Sequence, residues 1–263
     1  MTVKQMNIST AEYGVNTLAY SKGTAELDIK RLCAIAALAA LIQLACTLLT
    51  VVIAIAVGTE PTTAQEYFAM LGQNRLVGLL RMDFPSLINA ALFGVTGFAL
   101  YFMLKEHGKV MASFGTAIIF VAVGVAFAKH PSFSMIYLSD QYAAAASDAQ
   151  RAVLLAAGEG VLASNWWNSF GGFITGLCLQ GGMVLLSIVM LRSRRFGRVT
   201  AYSGMLANGL DWLHVIANLF LPAAGTILLS IGGLFYLVWF PLLARDLLRL
   251  ARQDRGLLPQ KTQ

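Results

Sequence analysis

The chain has 263 residues, of which 57% are apolar and only 12% are charged, and its formal net charge is +6. Soluble globular domains carry about 25% charged residues, so this composition leaves too few to cover a water-facing surface and excludes a soluble domain, a disordered chain and a disulfide scaffold. It predicts an integral membrane protein that is surrounded by membrane lipids, and it excludes nucleic-acid binding because the basic excess is distributed as a topology signal.

Six apolar segments are long enough to cross a bilayer, since a helix needs about 20 such residues to span the hydrocarbon core. In chain order these segments are 32–57, 85–104, 110–128, 166–191, 200–221 and 225–243. Only the short segment 105–109 separates the second span from the third, which predicts a tight turn there. The pattern indicates an all-α fold, an integral membrane six-helix bundle.

Two long connections on the outer side each carry the signature of a helix N-terminus. Residues 63–66 and 147–150 follow the capping-box pattern, in which a hydroxyl and a side chain three residues later cap each other's backbone N–H groups. Apolar residues at helical spacing follow each box, up to Gly72 in the first connection and Val161 in the second. We therefore expect two interfacial outer helices, which either cap the outer face of the bundle or act as a lid over a ligand site.

The distribution of Lys and Arg indicates the orientation, because these residues accumulate on the cytoplasmic side of a membrane. The outer segments hold Arg75, Arg81, Lys129 and Arg151, and the remaining basic residues all fall on the other side. The asymmetry predicts a multi-pass protein of the cell membrane with both termini in the cytoplasm. Residues 1–29 are then a cytoplasmic N-terminal tail, 30–250 the six-span domain and 251–263 a cytoplasmic C-terminal tail.

The inner end of the sixth span has two further features. Residues 242–252 form a basic amphipathic extension that is suited to anionic lipid headgroups. Tyr236, Trp239 and Phe240 are interpreted as aromatic anchors at the inner membrane interface. Membrane lipids are therefore the predicted partners, and a membrane-protein partner subunit is an alternative for the basic extension.

Asp211 is the most informative position, because a carboxylate near the middle of a span costs at least a few kcal/mol to insert. At about 100° per residue, Asn208, Asp211 and Asn218 share one stripe of the fifth span, and His214 lies within reach of Asp211. The polar residues of other spans that could meet this stripe include Gln43, Asn89 and Gln180.

Two interpretations of this polar stripe remain open. In the structural one, the side chains form hydrogen bonds between helices and fix the packing of the bundle. In the functional one, they line a water-accessible cavity that binds a small ligand or passes a proton. All seven residues are therefore candidates for a ligand-binding or proton-linked site.

The sequence carries no signature of an enzyme. His107, His130 and His214 fall at an inner turn, at an outer rim and within a span, so they are not expected to converge on one metal ion. No nucleophile elbow, zinc-protease motif or nucleotide-binding glycine loop is present, and we expect no catalytic residue, metal or cofactor.

Three hypotheses on function follow. The first is a non-enzymatic membrane protein that binds a small amphipathic ligand or serves as an accessory subunit of a membrane complex. The alternative is a small proton-coupled transporter that uses Asp211. The third, a membrane-embedded enzyme acting on lipid, is disfavoured because the spans hold few nucleophiles and bases.

The outer segments 138–142, 147–152 and 156–159 resemble the signature of an uncharacterised bacterial membrane family described as domain of unknown function 4386. The likeness extends over 31–249 and includes the start of the second span at 84–88. The resemblance implies a six-helix protein of a bacterial inner membrane. It implies no activity, and therefore no catalytic residues.

Overall fold

The computed structural model describes residues 3–57, 61–164 and 169–253, and every regular element in these ranges is an α-helix. The helices are α1 (Val3–Val57), α2 (Ala64–Gln73), α3 (Arg75–Arg81), α4 (Phe84–Lys129), α5 (Ser132–Ala144), α6 (Asp148–Ala163), α7 (Phe170–Arg192), α8 (Arg198–Ala217) and α9 (Pro222–Arg252). The prediction of an all-α protein is confirmed for the described part of the chain. Residues 166–168, which begin the predicted fourth span, and most of the predicted C-terminal tail lie outside it.

Among the described residues, four helical segments are long and apolar enough to cross a membrane, which agrees with the expected membrane protein. They are Glu26–Ile53, Phe84–Ala144, Phe170–Arg192 and Pro222–Arg252. Helix α8 is not among them, because Asn208, Asp211 and His214 lower its hydropathy.

Helix α4 is a hairpin of two helical arms. Only Gly108 departs from helical backbone angles, so the reversal is shorter than the predicted five-residue turn. The hydroxyl of Thr116 on the second arm donates to the carbonyl of Gly97 on the first at 3.4 Å, and a Cβ at Gly97 would lie 3.2 Å from Ile119. Gly97 and Ile119 lie at equal sequence distances from Gly108, so the two arms run antiparallel and side by side.

The long helices close into a ring in which α1 packs on α4, α4 on α7, α7 on α8, α8 on α9, and α9 back on α1. Aromatic rings fill its centre: the ring of Phe93 lies 6.3 Å from that of Trp239 and 6.0 Å from that of Phe240. Tyr236, Trp239 and Phe240 are all buried, so their interpretation as interface anchors was wrong. Their spacing along α9 places them on the face that packs inside the ring.

The helices α2, α5 and α6 pack together around Phe68 and Met135 as a second, smaller apolar core. The capping box at the start of α2 is complete, with Thr63 accepting from the Glu66 N–H at 3.3 Å and Glu66 accepting from the Thr63 N–H at 3.3 Å. A further N–H, from Thr62, also donates to Glu66, and these backbone donors hold the pKa of the Glu66 carboxyl below its ordinary value.

The other connecting helices differ in detail from the sequence-based expectation. Ser147 accepts from the Gln150 N–H at the start of α6, but the Gln150 side chain accepts from the Ala146 N–H instead of completing a box with Ser147. Helices α3 and α5 were not predicted. Asn74 ends α2, and its side chain also caps the N-terminus of α3. Pro131 is the residue at the N-terminal cap of α5.

Gly115 and Gly182 allow the second arm of α4 and helix α7 to approach closely. A Cβ at Gly182 would lie 2.5 Å from the Gly115 carbonyl oxygen and 2.5 Å from Ile119 Cγ1. Small residues at helix contacts increase van der Waals packing in membranes, where water provides no driving force for association. The Gly115–Gly182 contact therefore joins the α4 hairpin to the rest of the ring.

We predict that Gly182→Ala destabilises the fold by about 1 to 3 kcal/mol, because the added methyl has no room beside a backbone carbonyl. Thermal unfolding in detergent measures the change. Gly233→Ala is the matched control, since a Cβ at Gly233 meets nothing within 4 Å and alanine favours a helix over glycine. Equal unfolding temperatures for the two variants would contradict the importance of this contact.

Candidate functional site

Helix α8 carries the polar stripe and packs antiparallel to α9 along its whole length. At one end, His214 Nδ1 lies 3.0 Å from the Gly225 carbonyl, and at the other the Thr200 hydroxyl donates to Asp246 at 2.6 Å. A carbonyl only accepts, so His214 carries a proton on Nδ1. Helix α7 packs on the other side of α8. The stripe therefore faces two candidate membrane helices.

Four polar side chains from α7, α8 and α9 meet in one cluster, which we call the Asp211 cluster: Gln180, Asn208, Asp211 and Tyr236. Gln180 Nε2 donates to Asp211 Oδ2 at 2.7 Å. The Tyr236 hydroxyl lies 3.0 Å from Gln180 Oε1, 3.1 Å from Asn208 Oδ1 and 3.2 Å from Asp211 Oδ2. Asn208 also donates from Nδ2 to the Gly204 carbonyl at 2.8 Å, which fixes its orientation.

The Asp211 cluster has fewer hydrogens than its oxygens can accept. A hydroxyl carries one hydrogen, so Tyr236 donates to one of its three oxygen neighbours at a time. If Asp211 is ionised, its carboxylate is the strongest of these acceptors and both amide oxygens lose Tyr236 as a donor. If Asp211 is protonated, it can donate to the Tyr236 oxygen, and Tyr236 can then donate to an amide. One added proton therefore reverses the direction of the Tyr236 hydroxyl.

Three of the seven predicted site residues, Gln180, Asn208 and Asp211, come together in the Asp211 cluster. His214 is buried one helical turn from Asp211 and bonds to the backbone of α9. Asn218 caps the end of α8 and its side chain is exposed, so it does not join. Helical spacing correctly grouped Asn208 with Asp211, but it also included Asn218, which lies just after the end of α8.

Gln43 and Asn89 are polar residues of α1 and α4 that do not join the Asp211 cluster. Gln43 is fully buried, and neither its amide nitrogen nor its amide oxygen has a hydrogen-bond partner within the described ranges. Cys33 Sγ on α1 lies 3.6 Å from Met103 Sδ on the first arm of α4. The two helices run in opposite directions, so Gln43, ten residues after Cys33, lies level with Phe93, ten residues before Met103. Phe93 packs against Tyr236 with ring centroids 6.4 Å apart, which places Gln43 at about the depth of the cluster.

Sequence analysis missed two polar residues of α9. Tyr236 supplies the hydroxyl that joins three helices, and Asp246 is only 3% exposed. Asp246 accepts from the Gly197 N–H at 3.0 Å and from Thr200, so it caps the N-terminus of α8 from another helix. Helical periodicity could have predicted that Asp246 is buried, because it lies three residues after Leu243 and four before Leu250 on the same buried face.

An open apolar groove of about 770 Å³ lies on the other side of the α7–α8 pair. The second arm of α4 contributes Phe114, α7 contributes Cys178 and Gly181, and α8 contributes Gly209 and Trp212. Two of the residues that line the groove, Gly181 and Trp212, directly follow Gln180 and Asp211 of the Asp211 cluster in the chain.

The described residues hold no group of three His, Cys, Asp or Glu side chains that could bind a metal ion. Comparisons of the chain with models of protein families, with curated proteins and with solved structures gave no match. The site must therefore be interpreted from its own geometry.

We predict that Tyr236→Phe lowers the stability of the protein by about 1 to 2 kcal/mol, because it removes the hydroxyl that donates to one of the buried oxygens on α7 and α8. Thermal unfolding in detergent is the measurement. Tyr202→Phe on the exposed face of α8 is the matched control and is expected to have little effect. If both variants unfold at the same temperature, the Tyr236 hydroxyl does not hold the three helices together.

Proposed function

We propose that this chain is a non-enzymatic, six-span protein of a bacterial inner membrane, with both termini in the cytoplasm. The count is supported by α1, the two antiparallel arms of α4, α7, α9, and by α8, which lies alongside α9 from Gly225 to Asp246. In this proposal α2, α5 and α6 lie at the outer interface. Membership of the family with domain of unknown function 4386 is also part of the proposal and is supported only by the resemblance of the outer segments.

The function that the geometry supports best is binding of a small amphipathic molecule in the groove between α4, α7 and α8. The groove volume of about 770 Å³ carries this proposal, because small-molecule sites commonly measure 300 to 1,000 Å³ and are mostly apolar. Phe114, Leu206 and Leu213 are at least 45% exposed in the groove, so an apolar chain can reach them from the membrane. The apolar part of the ligand would lie in this groove.

Gly209 provides a direct test, because a Cβ there meets only Val184, at 4.0 Å, and a larger side chain would grow into the groove. We expect a brominated fatty acid to quench the fluorescence of Trp212 saturably in detergent micelles containing the wild type. In Gly209→Leu the affinity should fall by about tenfold or more, since about 1.4 kcal/mol of apolar contact corresponds to tenfold.

The controls for this experiment are Gly233→Leu, whose site is open and lies outside the groove, and Trp212→Phe, which removes the reporter. Quenching that rises linearly with the probe and is equal in all proteins that retain Trp212 would contradict the proposal. Native mass spectrometry separates the two forms of the first hypothesis. A bound small molecule supports ligand binding, whereas a bound protein that is lost in Gly209→Leu supports an accessory subunit seated in the same groove.

A second candidate function is a small proton-coupled transporter that uses Asp211. It is supported by the Asp211 cluster, in which one added proton reverses the Tyr236 hydroxyl and thereby changes which helices are tied together. Ionisable residues within a membrane are functional candidates by default, because they are costly to bury. The same cluster would also serve a purely structural role, so the second candidate depends on a flux measurement.

We predict that Asp211→Asn reduces proton flux into sealed proteoliposomes to the level of protein-free vesicles, while the protein stays folded. The amide keeps the shape of the side chain but does not release a proton at neutral pH. Asp140→Asn is the matched control, since Asp140 pairs with Arg75 on an exposed surface. Unchanged flux in Asp211→Asn would exclude this function.

A further inference from the structure

Along the face of α8 that packs against α7 and α9, every turn but one carries a polar side chain, and the exception is a glycine that faces polar side chains of α7 and α9. From the inner end outward, the positions on α8 are Thr200, Gly204, Asn208, Asp211 and His214. The steps are three or four residues, which corresponds to about 4.5 to 6 Å each at a rise of 1.5 Å per residue. This spacing is close enough for polar groups on neighbouring turns to be bridged by a single side chain or water.

The inner end of this face is joined to the cytoplasmic surface through Asp246. One oxygen of the carboxylate accepts from Thr200 at 2.6 Å, and the other pairs with Arg245 at 3.0 Å. The Arg245 side chain is 64% exposed, whereas that of Asp246 is 4% exposed. A buried carboxylate is therefore one ion pair away from solvent.

The turn at Gly204 contains two buried polar groups that face the same point. Ser187 Oγ on α7 and Trp239 Nε1 on α9 have no hydrogen-bond partner within the described ranges, and their residues are at most 1% exposed. A Cβ on Gly204 would lie 2.7 Å from Ser187 Oγ and 2.5 Å from Trp239 Nε1. Buried polar groups are normally paired, and an ordered water is a common partner. At Gly204, which lies between Thr200 and Asn208 on this face, α7 and α9 thus each present a polar atom that has no partner within the described ranges.

The titratable groups on this face lie at both ends and in the middle. Helix α9 supplies Asp246 and Tyr236, and α8 supplies Asp211 and His214. Helix α7 presents the neutral side chains of Gln180 and Ser187 to this face. Asp211 can hold and release a proton, and the hydroxyls between it and Asp246 can accept one hydrogen while donating another. The face therefore contains proton carriers separated by groups that can relay.

We propose that this face of α8 is a proton-conducting path from Asp246 at the cytoplasmic end, past Gly204 and the Asp211 cluster, to His214 at the outer end. In each step one O–H or N–H bond breaks as another forms, so no oxidant or co-reactant is consumed. The proposed path requires one bridging water, held by Ser187 and Trp239 beside Gly204, between the inner hydroxyls and Tyr236. The path rests on the second candidate function and specifies where the protons of that function cross.

The path is tested with variants that leave Asp211 intact. Ser187→Ala and Thr200→Val remove one relay hydroxyl each at nearly constant volume, and Gly204→Ala places a methyl group between Ser187 and Trp239. Proton entry into sealed proteoliposomes, driven by a potassium gradient with valinomycin, is followed with an internal pH dye. Each variant is expected to lower the rate by about a hundredfold, the smaller end of what a positioned proton carrier contributes. Gly233→Ala, which meets no neighbour, should keep the wild-type rate.

The outcomes separate failure of the path from failure of the function. If Asp211→Asn stops the flux but Ser187→Ala and Thr200→Val do not, the path is wrong and the proton-linked function stands. A wild type that is no faster than protein-free vesicles overturns both and leaves ligand binding in the groove unaffected. Thermal unfolding of each variant shows whether Gly204→Ala slows flux by misfolding, in which case the two hydroxyl variants decide.

Discussion

The structure depends on how polar groups are satisfied inside an apolar bundle. Water is scarce within a bilayer, so an amide or carboxyl that enters it needs a partner from another helix. The Tyr236 hydroxyl lies within hydrogen-bond distance of Gln180, Asn208 and Asp211, and it donates to one of them at a time. Helix α8, the least apolar of the long helices, is held between α7 and α9 by these bonds and by the cap from Asp246. Hydrogen bonds therefore help to fix its position, in addition to its packing against α7 and α9.

Close packing complements this constraint on the opposite side of the ring. The backbones of α4 and α7 meet at Gly115 and Gly182, where a Cβ on either residue would crowd the carbonyl of the other. No polar contact is needed at that position because dispersion forces grow with the number of atoms in contact. The bundle thus uses glycine contacts where the helices are apolar and hydrogen bonds where they are not. The groove lies between these two regions, along α7.

Much of the architecture could be predicted from the sequence because membrane helices have a strong local signal. Run length and hydropathy located the apolar helices, and helical spacing grouped Asn208 with Asp211. The same methods could not pair helices, since which residue of α9 meets Asp211 depends on the register of two segments about 25 residues apart. Tyr236 was therefore assigned to an interface, although it completes the cluster. Gln43 was expected to join the stripe because it is polar, but it lies on α1, which packs against α4 and α9, and its amide makes no hydrogen bond within the described ranges.

The connecting segments illustrate a second limit. The capping box at Thr63 was found because it depends on four consecutive residues, whereas helices α3 and α5 have no comparable signal. The tight reversal at Gly108 was expected to need five residues and uses one. Local patterns identify where a helix starts, but the length of a turn follows from how far apart the packed arms must lie.

The closure of the ring by α9 has a consequence for how the protein is made. Chains enter the membrane from the N-terminus as they are synthesised. Helix α9 contacts α1, the first long helix, and it supplies both Tyr236 and Asp246 to α8. Until that last segment leaves the ribosome, Asp211 and the start of α8 lack two of their partners. The nascent protein thus passes through a stage in which α8 is poorly anchored, and a quality-control protease would have its best opportunity there.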